Sequence, residues 1–136
     1  MSPSTKVQEA AIMRSLLGRV RGLGSAKAGT AHWWAQRLTA MALVPLGIWF
    51  VIGVIAHDAS SRAGIVEWMS GPVTATLMLA LIASLFHHMQ LGLQVVIEDY
   101  VHGETRRLAT LLAMKAATAL LAILAALSVL KMALSG

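Results

Sequence analysis

The sequence contains no cysteine and has few charged residues. Without cysteine, the chain can form no disulfide bridge and can supply no thiolate to zinc or to an iron–sulfur cluster. Only 12% of its 136 residues are Asp, Glu, Lys or Arg, whereas a soluble domain carries about 25%, and 57% are hydrophobic. These proportions predict an integral membrane protein.

Three predominantly apolar runs, over 38–56, 73–97 and 108–130, are long enough to cross a bilayer as helices. The first has 19 uncharged residues, about 28 Å of helix, and Pro45 is expected to kink it. We therefore predict an all-α membrane protein with three transmembrane helices, in which residues 31–136 form the membrane anchor domain.

The remaining segments are polar. Residues 1–30 are basic, include a candidate surface helix over 9–20, and end in a glycine-rich stretch that predicts an irregular linker. An organelle transit peptide is the alternative for this segment, whereas a cleavable signal peptide is not expected. Between the apolar runs, 65–69 is predicted to be a short interfacial turn anchored by Trp68, and 98–107 a ten-residue loop.

The basic residues are distributed unevenly across this arrangement. Arg62 and Lys131 lie on one side, and Lys115 is ambiguous. The other eight lie on the N-terminal side or in the second loop: Lys6, Arg14, Arg19, Arg21, Lys27, Arg37, Arg106 and Arg107. Because cytoplasmic segments are enriched in Lys and Arg, this predicts a cytoplasmic N-terminus in a bacterial inner membrane. We attribute the net charge of +5 to basic residues that orient the protein in the membrane and contact anionic lipid, so no nucleic acid partner is expected.

The second apolar run carries polar side chains that are costly in hydrocarbon. At 3.6 residues per turn they form two adjacent stripes on a helix. One stripe comprises Ser84, His88, Gly92, Val95 and Asp99, and the other comprises His87, Gln90, Gln94 and Glu98. Two polar stripes on a membrane helix must face the interior of a helix bundle and not lipid.

The two adjacent histidines differ in their surroundings. A neutral imidazole is the usual axial ligand of heme iron in electron-transfer cytochromes, and a porphyrin lying against a helix needs a small residue beside it. Gly92, one turn from His88, gives that clearance, whereas Leu91 stands in the equivalent place beside His87. We therefore predict that His88 ligates heme and that His87 is structural, bonding a carbonyl or a propionate; an interhelical hydrogen bond is the alternative for either.

The other histidines of the membrane region, His32, His57 and His102, all lie at the ends of the apolar runs. A second axial histidine for the same heme must then come from another chain. Three helices alone also enclose a porphyrin poorly. The chain is therefore predicted to form one part of a hetero-oligomeric heme-binding helix bundle.

The run from His88 to Gly103, His-Met-Gln-Leu-Gly-Leu-Gln-Val-Val-Ile-Glu-Asp-Tyr-Val-His-Gly, resembles the hydrophobic membrane anchor of succinate dehydrogenase, the smaller cytochrome b anchor of complex II. In that family a histidine, a glycine four residues later and Asp-Tyr-Val at the helix exit recur. The Arg-Leu-Thr-Ala stretch beginning at Arg37 is similar to the Arg-x-Thr-Ala entry of the family's first helix. The resemblance covers all three runs, from about Gly29 to the C-terminus.

This resemblance implies roles for matching residues. His88 would be an axial ligand of heme b, with the second ligand supplied by the other cytochrome b anchor of the complex. Tyr100 would hydrogen-bond a carbonyl of ubiquinone, with Asp99 beside it, and Arg37 would lie near the heme propionates or the quinone entrance. Succinate oxidation would belong to flavoprotein and iron–sulfur subunits, so no catalytic residue for that step is expected in this chain.

Two other interpretations of the chain stay open at this point. One is a heme or quinone subunit of another respiratory complex, such as fumarate reductase or a membrane hydrogenase. The other is a purely structural anchor that binds no cofactor. For Tyr100 alone, the alternative is a tyrosine of the interfacial aromatic belt.

Overall fold

The computed structural model describes residues 27–57 and 60–135, and these ranges contain four α-helices. They are α1 (Lys27–Ala56), α2 (Arg62–Ser70), α3 (Pro72–Tyr100) and α4 (Glu104–Ser135). The chain divides into two units, 1–34 and 35–136, and every interhelical contact discussed below lies within the second. The predictions for residues 1–26, including the surface helix over 9–20, fall outside the described residues.

Three of these helices, α1, α3 and α4, are long and apolar enough to cross a membrane. The predicted runs 38–56, 73–97 and 108–130 lie inside them, and the prediction of an all-α membrane fold is confirmed. The span in α1 has 28 residues, about 42 Å of helix, which matches a bilayer together with its headgroup layers. The helix is continuous through Pro45.

The ends of the helices differ from the sequence-based prediction. α1 begins at Lys27, so the last residues of the predicted linker are helical. The predicted ten-residue loop over 98–107 is wrong, because only 101–103 separate α3 from α4. Gly103 has φ +102° and permits this tight reversal, since glycine adopts left-handed backbone without strain. The hydropathy of the sequence indicates where a helix leaves the hydrocarbon of the bilayer. The backbone hydrogen bonds of α3 continue beyond that point, so the helix extends to Tyr100.

The predicted interfacial turn over 65–69 is also wrong, because these residues belong to the helix α2. Ser61 caps this helix: its hydroxyl oxygen accepts a hydrogen bond of 3.1 Å from the backbone N–H of Gly64. α2 packs against α3 and α4. Trp68 is only 8% exposed and belongs to a core with Met69, Ala75, Met78 and Val129. Burial of its indole ring thus replaces the expected anchoring in the headgroup layer.

An aromatic cluster joins α2 to the C-terminal half of α1. The ring of Trp68 lies 5.9 Å from that of Trp49, 6.1 Å from Phe50 and 5.2 Å from His57, centroid to centroid. Gly53 lies beside this cluster, and a Cβ atom there would overlap the Trp68 ring. Close packing of α1 against Trp68 therefore depends on the absence of a side chain at Gly53.

We predict that Gly53→Ala destabilises the protein by about 1–3 kcal/mol, because the added methyl group overpacks the ring of Trp68. Gly47→Ala is the matched control on the same helix, since a Cβ there meets nothing within 4 Å. Both substitutions gain the same helix propensity, so the difference between them reports the overlap. Thermal unfolding in detergent measures it, and equal stability of the two variants would contradict the contact.

Candidate functional site

His88 lies just past the middle of α3 and contacts α1 through both nitrogens of its ring. Nδ1 is 3.0 Å from Oγ1 of Thr39, and Nε2 is 3.5 Å from Nε2 of Gln36. Gln36 and Thr39 are three residues apart and therefore share one face of α1. All three side chains are half-buried. We call Gln36, Thr39 and His88 the His88 cluster; it sets the level at which α1 meets α3.

Gly92 lies one turn after His88, and tight packing within the described chain does not require a glycine there. A Cβ atom at Gly92 would have Nε2 of Gln36 as its nearest neighbour, at the ordinary van der Waals distance of 3.8 Å. Oε1 of Gln36 is buried and has no hydrogen-bond partner among the described residues. Leaving such an acceptor unsatisfied costs about 1–3 kcal/mol. Gln36 therefore has a buried acceptor near His88 for which the described residues supply no donor.

His87 lies on a different side of α3. It is exposed, and within 27–57 and 60–135 its side chain makes no hydrogen bond, so the structural contact predicted for it is not found there. It lines a notch of about 190 Å³ between α3 and α4. The notch is formed by Ala83, Phe86, His87, Gln90, Thr118, Ala119 and Ala122. The two neighbouring histidines thus face different environments, as their different stripes predict.

A second interhelical hydrogen bond lies beside this notch. Nε2 of Gln90 donates to Oγ1 of Thr118 at 3.0 Å, and the Thr118 hydroxyl donates to the carbonyl oxygen of Met114 at 2.9 Å. Thr118 is only 6% exposed. Polar side chains commonly join membrane helices in this way, since hydrocarbon offers no alternative partner. The stripe that contains Gln90 therefore bonds to α4, whereas the stripe of His88 bonds to α1.

The C-terminal turn of α3 presents the predicted quinone residues. Tyr100 is 78% exposed, and Asp99 is exposed beside it. Within the described ranges the phenol hydroxyl makes no hydrogen bond. Glu98 accepts a hydrogen bond of 2.8 Å from Gln94. Glu98 also lines a cavity of about 400 Å³ between α3 and α4, together with Glu104, Arg107, Leu108 and Leu111.

The predicted site residues occupy two levels. His88 and Gly92 border one space, whereas Tyr100 lies twelve residues further along α3, about 18 Å away in helix rise. Arg37 follows Gln36 and is at the level of His88, but it is exposed and about 100° further around α1. Among the described residues, no three His, Cys, Asp or Glu side chains come together as a metal site.

Sequence reasoning missed the roles of Gln36 and Thr39. Thr39 lies in the Arg-Leu-Thr-Ala stretch, but the sequence alone gives it no partner. The available signal is the three-residue spacing of two polar side chains at the start of an apolar run. That spacing defines a helix face, and the level of α1 against α3 then identifies His88 as the residue it meets.

Comparison with known proteins assigns the chain to a family. The family model described as "Succinate dehydrogenase/Fumarate reductase transmembrane subunit" matches residues 12–126. The chain belongs to this family. The match includes the whole stretch from Arg37 to Gly103 that carries the resemblance.

Individual relatives agree with this assignment. The succinate dehydrogenase hydrophobic membrane anchor subunit of Rickettsia bellii is 38% identical over 104 residues, which cover 75% of this chain and 82% of the relative. That of Paracoccus denitrificans is 35% identical over 89 residues, covering 65% and 68%. The succinate dehydrogenase membrane anchor subunit of Reclinomonas americana is 31% identical over 88 residues, covering 62% and 73%. No solved structure matches the chain significantly.

We predict that Thr118→Val destabilises this family member by about 1 kcal/mol, because the amide of Gln90 loses its partner across α3 and α4. Thr110→Val is the matched control: its hydroxyl also bonds the carbonyl oxygen four residues earlier, but it is exposed and, within 27–57 and 60–135, makes no hydrogen bond to another helix. Thermal unfolding in detergent compares the two variants. If Gln90→Leu and Thr118→Val proved strictly additive in the double variant, the two side chains would not be coupled.

Proposed function

We propose that the chain is the hydrophobic membrane anchor subunit of a bacterial succinate:ubiquinone oxidoreductase. In this role it binds heme b and ubiquinone together with a second cytochrome b anchor, and it docks the iron–sulfur and flavoprotein subunits at the membrane. The observation that carries the proposal is the placement of His88 beside Gly92 at one level of α3 and of the exposed Tyr100 at another. Family membership and the names of the relatives support the anchor role.

Heme b is the group that the imidazole of His88 would hold. Gly92, one turn away, would add no side chain beside it, and the nearest side-chain atom to a Cβ there is Nε2 of Gln36, at 3.8 Å. When bound, heme supplies one-electron redox chemistry. A second ligand would come from the partner anchor, as the resemblance implies; His57 is stacked on Trp68 at 5.2 Å, and His102 lies in the loop beyond α3.

The quinone is the substrate at the other level. A phenol at the end of a membrane helix can donate its proton in a hydrogen bond to a quinone carbonyl. Such a bond from Tyr100 strengthens as negative charge develops on that oxygen during reduction. The carboxyl groups of Asp99 and Glu98, one and two residues away, are suitable proton donors to the reduced quinone. The Gln94 amide bonded to Glu98 orients one of these two groups.

The soluble subunits dock on the side of the membrane that holds Tyr100. Most of the basic residues lie in the N-terminal segment, at Arg37 and, as Arg106 and Arg107, in the first turn of α4, which favours the cytoplasm for this side by the positive-inside rule. Succinate is oxidised in the soluble subunits, and iron–sulfur centres deliver electrons to the quinone near Tyr100. This chain therefore contributes membrane attachment, the heme ligand and part of the quinone site.

A subunit of fumarate reductase is the second candidate, because the matching family includes that enzyme. The same residues would then serve quinol oxidation. The relatives, all succinate dehydrogenase subunits by name, favour the first candidate. A cofactor-free structural anchor would leave the space beside His88 without a ligand.

We predict that His88→Ala abolishes the b-type absorbance band of the purified complex, because it removes an axial ligand of the heme iron. His87→Ala is the matched control at the neighbouring position, and it should retain the band because His87 faces the α3–α4 notch. The stoichiometry of the subunits, measured on the same preparations, separates loss of heme from loss of assembly. The opposite pattern would assign the ligand to His87, and a wild-type complex without the b-type band would favour a cofactor-free anchor.

We predict that Tyr100→Phe lowers quinone reductase activity by about tenfold to a hundredfold, the range for a lost hydrogen bond to a charged group of about 1.5–3 kcal/mol. Succinate oxidation with an artificial dye acceptor should be unchanged in the same preparation, because that reaction bypasses the membrane subunits. Equal loss of both activities would indicate an assembly defect and would argue against quinone chemistry at Tyr100.

A further inference from the structure

The proton on the His88 ring can be located from the groups that face its two nitrogens. A neutral imidazole carries one proton, and only the other nitrogen has a lone pair available to bind a metal. Nδ1 faces Oγ1 of Thr39 at 3.0 Å, and Nε2 faces Nε2 of Gln36 at 3.5 Å. The hydrogen bonds of these two neighbours determine which tautomer is stable.

The Thr39 hydroxyl has its own acceptors on α1. Oγ1 is 2.8 Å from the carbonyl oxygen of Ala35 and 3.1 Å from that of Gln36. A carbonyl oxygen only accepts, and a hydroxyl has a single hydrogen, which a helical threonine donates to the preceding turn. The lone pairs of Oγ1 are then the part of the hydroxyl that faces His88. Nδ1 of His88 therefore carries the proton and donates it to Thr39.

The other side of the ring leads to the same tautomer. The side-chain nitrogen of Gln36 is a donor only, so a hydrogen bond with it requires a lone pair on Nε2 of His88. At 3.5 Å this contact is longer than an ordinary hydrogen bond, whereas the Thr39 contact is of ordinary length. The ring is therefore held firmly at Nδ1 and weakly at Nε2, the nitrogen with the free electron pair.

We propose that Thr39 is a positioning residue for the heme ligand: its hydroxyl holds His88 in the Nδ1–H tautomer and so leaves on Nε2 the lone pair that would bind the iron. This inference rests on the proposed function of His88. When the ring nitrogen that does not bind the metal donates a hydrogen bond to an oxygen, this bond fixes the orientation of the ring and makes the imidazole a more basic ligand. Loss of such a bond typically weakens metal binding about 10–100-fold. A more basic imidazole also stabilises the more highly charged ferric state.

Thr39→Val in the purified four-subunit complex tests the proposal, since valine keeps the shape of threonine and lacks the hydroxyl. We expect heme to be lost about 10–100-fold more readily on dilution or competition, and the midpoint potential of the remaining heme to rise. Thr39→Ser keeps the hydroxyl and should restore both properties. Thr76→Val is the matched control: its hydroxyl also bonds the carbonyl four residues earlier, but it is exposed and meets no histidine.

Two outcomes would overturn the proposal. The first is Thr39→Val with wild-type heme retention and potential, while His88→Ala loses the b-type band. The second is a potential shift of equal size in Thr39→Val and Thr76→Val. If His88→Ala keeps its heme, the ligand assignment itself fails, whatever Thr39 does, so the two failures are distinguishable.

A measurement on the unaltered complex covers the case in which Thr39→Val does not assemble. Solid-state NMR of the complex labelled with ¹⁵N-histidine reports which ring nitrogen carries the proton. We expect a histidine signal, absent from His88→Gln, with Nδ1 protonated and hydrogen-bonded. A deprotonated Nδ1 in that signal, or a protonated Nδ1 that makes no hydrogen bond, would overturn the proposal.

Discussion

Polar side chains within hydrocarbon must bond to one another, because no water is present to replace a missing partner. This constraint determines how the described helices meet. His88 bonds towards α1 through Thr39, and Gln90 bonds towards α4 through Thr118. These side chains lie on adjacent stripes of α3, so each stripe serves one neighbouring helix. These two bonds fix the rotation of α3 about its axis and its height relative to α1 and α4.

The general architecture could be predicted from composition because the requirement to span a bilayer acts on long segments, and three such segments were evident. The different neighbours of His88 and His87 could also be predicted in part, since adjacent residues of a helix lie on different stripes. The partners of His88 could not be predicted. They depend on the height of α1 relative to α3, which is set by contacts between residues about fifty positions apart in sequence.

Two other parts of the chain also differ from the sequence-based prediction. Trp68 resembles an interfacial anchor in sequence, and it is buried because α2 folds onto α3 and α4 and because Gly53 leaves room for its ring. The polar residues Glu98 and Asp99 suggest a loop, but backbone hydrogen bonds extend α3 through them to Tyr100. A contact between distant elements thus decided the position of Trp68, whereas the local hydrogen bonds of the helix decided the structure at Glu98 and Asp99.

The short connection after α3 has a consequence for how the proposed complex is built. Only three residues separate Tyr100 from the first residue of α4, so two rigid helices hold the chain on either side of the turn. The backbone at Tyr100 can therefore shift little when a partner docks. In the proposed complex, the quinone at Tyr100 would therefore be held at a fixed position. Its distance from the last electron carrier of the soluble subunits would depend on how closely those subunits dock against the membrane surface.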